Sequence, residues 1–183
     1  MKKNPQGMRM ELCKCFRSRY HIRINPGCRG RYARLVAAGL ALSALGDALL
    51  VWPQHFVAGM AAFAGAHVAY ILALGWARRC GLAGAALYGA TLCFLGSVAP
   101  PAGLRALVPG YALLLATMAW RGVARGGAAA PGALLFLLSD AILGYSLFGG
   151  PVPYKQVLVM STYYLAQLGM ALSALWAADE ARA

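Results

Sequence analysis

Six apolar runs, each close to the length needed to cross a bilayer, constrain this chain more than any other feature. A spanning helix takes about 20 mostly apolar residues. The sequence supplies Ala33 to Val51, Phe56 to Trp76, Cys80 to Ala99, Leu104 to Trp120, Ala128 to Phe148 and Val152 to Ala178. Trp52-Pro53-Gln54-His55, Arg78-Arg79, Pro100-Pro101, Arg121 through Gly127 and Gly149 through Pro153 separate them as turn or charge clusters. Barrel strands would alternate every second residue over about ten, and these runs do not. The expectation is an all-α fold: a polytopic membrane helix bundle of about six transmembrane helices, the fourth being short.

Composition agrees. Of 183 residues, 61% are hydrophobic and 12% charged, where a soluble domain carries about 25% charged residues, and the mean hydropathy is +0.61. This excludes an intrinsically disordered chain, and five cysteines in this length do not make a disulfide-stapled module. The net charge of +12 suggests a nucleic-acid partner until the charges are located. Ten of the seventeen basic residues, from Lys2 to Arg34, lie before or at the start of the first run. No recognisable binding module accompanies them, so nucleic-acid binding is not expected.

The same residues set an orientation, because Lys and Arg near span ends stay on the cytoplasmic side. With the N-terminus inside, those ten join Arg78, Arg79, Arg121, Arg125 and Arg182 on the cytoplasmic side, against Arg105 and Lys155 on the other. Both termini are therefore expected in the cytoplasm: a basic, disordered tail over residues 1–32, the transmembrane domain over 33–178 and a short tail over 179–183. The first segment lacks an apolar stretch long enough for a secretory signal. It could lie against anionic lipid, with Cys13 and Cys15 as candidates for acylation. Cys13, Cys15, His21 and Cys28 lack zinc-ligand spacing, and Cys80 and Cys93 read as small apolar residues.

Subtraction isolates two acids. Glu11, Asp179 and Glu180 lie near the chain ends, leaving Asp47 and Asp140 inside apolar runs. A carboxylate there costs roughly 2.5 to 3.5 kcal/mol on insertion scales and marks a functional site by default. The bland alternative is a protonated Asp bonded to a neighbouring helix. Asp47 lies six residues before Pro53 and Asp140 eleven before Pro151, about 9 Å and about 16 Å at 1.5 Å per residue, so one cavity can hold both. His67, Ser139, Tyr163 and Gln167 fall at similar depth, the last two four apart on one helix face. Each also has a plain role: a packed histidine, a serine bonded to its own backbone, a tyrosine at the membrane interface.

Longer motifs surround these residues. Gly46-Asp47-Ala48-Leu49-Leu50-Val51-Trp52-Pro53 is followed by His55 through Phe63 and by Ala66-His67-Val68-Ala69-Tyr70. Then come Trp120-Arg121-Gly122, Gly132 through Phe136, Leu138-Ser139-Asp140, Pro151-Val152-Pro153, Val159 through Gln167, and Leu172-Ser173-Ala174-Leu175. In this order they resemble the lysoplasmalogenase family of membrane proteins, also called YhhN-like, over about Arg31 to Leu175.

The resemblance implies an ether hydrolase that cleaves the vinyl ether of lysoplasmalogens to a fatty aldehyde and glycerophospho-ethanolamine or glycerophospho-choline. It also implies a multi-pass membrane protein, of the endoplasmic reticulum in animals. Family members typically have about eight spans, and the match here begins near the third, a basic segment standing in place of the first two. The family's acidic positions fall on Asp47 and Asp140, the catalytic candidates, with His67, Ser139, Tyr163 and Gln167 as substrate-binding or supporting residues.

Hydrolysis of a vinyl ether begins with protonation of its β-carbon, which a neutral carboxyl can perform because removal from water favours that form. A second, ionised carboxylate can steady the cation and take a proton from water. The deeper Asp140 is the first choice for the acid and Asp47 for the base, with the reverse assignment open. This route requires no cofactor or metal, although His55 and His67 allow a metal-assisted alternative. The expected partners are a lysophospholipid substrate and the bilayer itself. Two competing classes remain: a proton-coupled small-solute transporter, and a catalytically inactive truncated isoform with a regulatory role. The small-residue pairs in the spans do not assign an oligomer.

Overall fold

The computed structural model describes residues 26–76 and 80–179. The proposed disorder or lipid contact of the N-terminal tail, acylation at Cys13 and Cys15, and residues 180–183 of the C-terminal tail lie outside the described residues.

Among the described residues are six α-helices: α1 (Pro26–Leu50), α2 (Phe56–Leu74), α3 (Gly81–Gly96), α4 (Leu107–Arg125), α5 (Ala129–Phe148) and α6 (Lys155–Asp179), with single 3-10 turns at Pro53–His55 and Ala102–Leu104. Prolines mark the starts: Pro26 opens α1, while Pro109 and Pro131 fall in the first turns of α4 and α5, where a missing N–H removes no intrahelical bond. Gly75 (φ 70°) and Gly126 (φ 82°) end α2 and α4 in the left-handed region, each donating its N–H back at 3.0 Å, to Ile71 and Gly122 respectively. Helix α1 begins seven residues before the first apolar run, so its first turns are polar.

Among the described residues, five stretches, at 30–50, 53–74, 102–125, 129–148 and 155–177, are long and apolar enough to cross a membrane. Helix α4, from the short fourth run, has 19 residues, and α3, with 16, is the shortest among the described residues. The difference has a local cause: Ser97 ends α3 by turning its N–H and hydroxyl back onto the Phe94 carbonyl, while α4 continues past Trp120 through Arg121 to Arg125.

Helix contacts run α1–α2, α2–α4, α4–α5, α5–α6 and α6–α1, closing a ring of five, and α3 packs outside it on α4. Successive helices alternate in direction. The Ala99 N–H bonds the last residue of α5, Phe148, at 2.9 Å, and the Trp120 indole bonds the Cys80 carbonyl before α3 at 2.9 Å. One end therefore gathers the proline-rich loops, and the other the last turns of α4 with Arg121 and Arg125. Cys80 is disulfide-bonded, in contrast to the plain apolar role its place suggests, whereas Cys93 is free.

The ring closes where side chains are smallest. A Cβ on Gly132 of α5 would lie 3.0 Å from the Met170 nitrogen, and one on Gly169 of α6 2.8 Å from the Gly132 Cα, so the α5–α6 backbones touch. Ala66, Tyr70, Ala133, Phe136, Ala166 and Met170 fill the interior at zero exposure. Large apolar residues such as Leu45, Val68, Leu92, Leu134, Leu165 and Leu168 point outward, a surface suited to lipid.

Candidate active site

Both intramembrane acids line one cavity of about 550 Å³, set toward the proline-rich end and bounded by Leu50, Phe56, Val108, Phe148 and Val159. Five helices of the ring and α3 contribute to its wall. Asp47 sits on α1 beside Gly46, whose absent side chain matters here: a Cβ would strike the Phe63 ring at 2.7 Å. Gly46 thus admits Phe63 of α2 against the α1 backbone next to the acid.

Each carboxylate is held by a tyrosine from another helix, and each tyrosine meets a further polar side chain. On the first side, the Tyr163 hydroxyl donates to Asp47 Oδ2 at 2.7 Å, Gln167 Nε2 donates to the Tyr163 oxygen at 2.9 Å, and the buried Tyr70 hydroxyl donates to Gln167 Oε1 at 2.9 Å. On the second, Tyr111 donates to Asp140 Oδ2 at 2.5 Å and lies 3.0 Å from His67 Nε2. His67 is 3.7 Å from Asp140 Oδ2, beyond hydrogen-bonding range, so Tyr111 is the link. Asp140 is 15% exposed and His67 not at all, while Asp47 is exposed to the cavity.

Phe136 stands between the two arrays. Its ring meets Tyr163 edge-on with centroids 5.4 Å apart and His67 at 4.9 Å, packing that favours such edge-to-face contacts. It comes one turn before Asp140, as Phe63 comes one turn before His67.

The sequence-derived residues therefore divide. Asp47, Asp140, Tyr163 and Ser139 reach the cavity wall, while His67 and Gln167 stand behind it as supports. The Ser139 hydroxyl donates to the Val159 carbonyl at 3.2 Å, joining α5 to α6. His55 is on the exposed turn before α2, edge-on to Trp52, away from His67. Sequence reasoning missed Tyr111 and Tyr70 as site residues. A tyrosine at acid depth inside an apolar run was the available signal, and it looks the same as an interface anchor.

The Trp120-Arg121-Gly122 motif has another task, at the opposite end of the bundle. Arg121 Nε donates to the Gly75 carbonyl at 2.6 Å, and its guanidinium lies 5.0 and 5.1 Å from the Trp76 and Trp120 rings. It ties the end of α2 to α4, far from the cavity.

The profile of the YhhN family matches residues 21–174, with both acids and both tyrosine supports inside it. The chain belongs to the YhhN family. Among curated proteins, this family member is similar to lysoplasmalogenase TMEM86B of Homo sapiens, 43% identical over 157 residues, covering 80% of this chain and 66% of that protein. The Sus scrofa TMEM86B is 45% identical over 151 residues, covering 79% and 65%. Lysoplasmalogenase TMEM86A of Homo sapiens is 40% identical over 160 residues, covering 78% and 66%. This YhhN chain thus spans slightly less than two thirds of the length of these relatives. No solved structure matches it.

Proposed function

We propose that this chain hydrolyses the vinyl ether of lysoplasmalogens within the membrane, with Asp140 as general acid and Asp47 as general base. The observation that carries this reading is the pair of carboxylates on the wall of one apolar cavity, each oriented by a tyrosine. Its volume of about 550 Å³ is that of a small-ligand site, and its aliphatic lining suits a hydrocarbon chain. The named activity of the similar proteins supports the same chemistry.

The reaction closes in four proton movements. Asp140, protonated, gives its proton to the β-carbon of the alkenyl chain, and the ether oxygen lends electron density to form an oxocarbenium ion. The Asp47 carboxylate steadies that cation and takes a proton from the water that adds to the α-carbon, giving a hemiacetal. Asp47 then returns its proton to the ether oxygen as the carbon–oxygen bond breaks. The hemiacetal hydroxyl proton restores Asp140, and fatty aldehyde leaves with a glycerophospho-ethanolamine or glycerophospho-choline. Asp47, the more exposed acid, is the one a water reaches. With the basic loops in the cytoplasm, the cavity faces the opposite leaflet, in keeping with a multi-pass protein of the endoplasmic reticulum.

Purified chain in detergent, given 1-alkenyl lysophosphatidylethanolamine, is expected to release fatty aldehyde, and Asp140→Asn to release none. Absence of release by the unmodified chain, or equal release by the variant, overturns the reading.

A further inference from the structure

Behind Asp140 lies a proton arrangement that the acid role alone does not require. We infer that His67 and Tyr111 form a positioning pair that decides which oxygen of Asp140 carries the transferable proton. The inference rests on the proposed acid role of Asp140 and adds to it two residues and a direction.

The Tyr111 hydroxyl has one hydrogen and two neighbours, Asp140 Oδ2 at 2.5 Å and His67 Nε2 at 3.0 Å. What His67 does with its own ring hydrogen decides where the tyrosine hydrogen goes. His67 is fully buried, and its Nδ1 has no hydrogen-bond partner. A hydrogen on Nδ1 would be a bare donor in the interior, and orphaned buried N–H groups are rarer than under-satisfied acceptors. A hydrogen on Nε2 instead meets the Tyr111 oxygen.

With Nε2–H donating, Tyr111 must turn its hydrogen to Asp140 Oδ2. That oxygen is then an acceptor, and the carboxyl proton is left to Oδ1, the oxygen Tyr111 does not occupy. Packing fixes the histidine ring in the plane this needs: Phe136 lies edge-on at 4.9 Å and Tyr111 at 5.3 Å. The pair acts through Asp140 and need not touch substrate. The array behind Asp47 runs through the Gln167 amide to the Tyr70 hydroxyl and has no comparable choice of tautomer.

The test begins without catalysis. In the full chain labelled with 15N-histidine in detergent micelles, the neutral His67 ring, identified by its loss in His67→Gln, is expected to be protonated at Nε2 and bare at Nδ1. The Nδ1–H tautomer, or a doubly protonated ring, overturns the inference whether or not the chain is active. Kinetics supply the second arm. Tyr111→Phe and His67→Leu are expected to lower kcat for aldehyde release about tenfold, a fraction of the roughly 10²- to 10⁴-fold a general acid contributes, with KM unchanged. His67→Gln, whose amide N–H can take the place of Nε2–H, should recover most of the His67→Leu loss. A rise in KM with kcat unmoved, or Gln no better than Leu, contradicts a positioning role. Absence of aldehyde release by the unmodified chain would count against the proposed function and leave the tautomer test standing.

Discussion

Asp47 and Asp140 are chemically identical side chains on the wall of the same cavity, yet different groups stand behind them. The Asp47 array runs through Tyr163 to Gln167 and Tyr70. The Tyr70 hydroxyl fixes the Gln167 amide, the amide fixes Tyr163, and Tyr163 presents its hydrogen to the acid. Behind that tyrosine stand an amide and a phenol, which suits a carboxylate kept as an acceptor. The Asp140 array runs through Tyr111 to an imidazole, whose hydrogen has two possible seats. Two like carboxyls take different roles when their surroundings differ, and here the difference begins two residues away from each acid.

The sharpest way to break the comparison is to neutralise the acids singly. Asp140→Asn should cut aldehyde release at least about 10³-fold and Asp47→Asn about 10²-fold, within the range of general acid–base catalysis. Binding of a saturated 1-alkyl lysolipid should persist in both. Equal losses accompanied by lost binding would make the acids structural. Tyr163→Phe comes next: removing one hydrogen bond to a charged group, about 1.5 kcal/mol, should slow turnover about tenfold.

Gln167→Leu acts one residue further back and should cost a few-fold, less than His67→Leu, because no tautomer is lost. If the two supports prove equivalent in kcat, the contrast between the arrays disappears. The smallest effect is expected at Met118→Leu, a volume-conserving change of a fully buried residue away from the acids, costing less than about 1.5 kcal/mol in a melting experiment. It should leave the ratio of the two Asp→Asn losses unchanged.

Length and polarity made much of this legible beforehand. Six apolar runs become six helices because a span must satisfy its own backbone hydrogen bonds. The two acids stand out because an intramembrane carboxylate is costly without a use. Tyr163 and Gln167 were readable as a pair since their four-residue spacing puts them on one helix face. The partners of the acids were not, because they come from other helices: Tyr111 reaches Asp140 from α4, and Tyr163 reaches Asp47 across 116 residues of sequence. Gly46 and Gly132 read as generic small residues, and only packing shows that one admits Phe63 and the other lets α5 touch α6. Ser139 had the right depth, but its hydroxyl is taken by the Val159 carbonyl.

The division of labour between the acids is tested most directly by binding, because an oxocarbenium mimic needs an anion where the cation forms. A lysolipid with a protonated secondary amine in place of the vinyl ether should bind the unmodified chain tighter than its neutral ether counterpart, by about 10²-fold, the low end for transition-state analogues. Asp47→Asn is expected to abolish this preference and Asp140→Asn to preserve it. Loss of the preference in Asp140→Asn, with Asp47→Asn retaining it, would contradict the assignment and exchange the two roles.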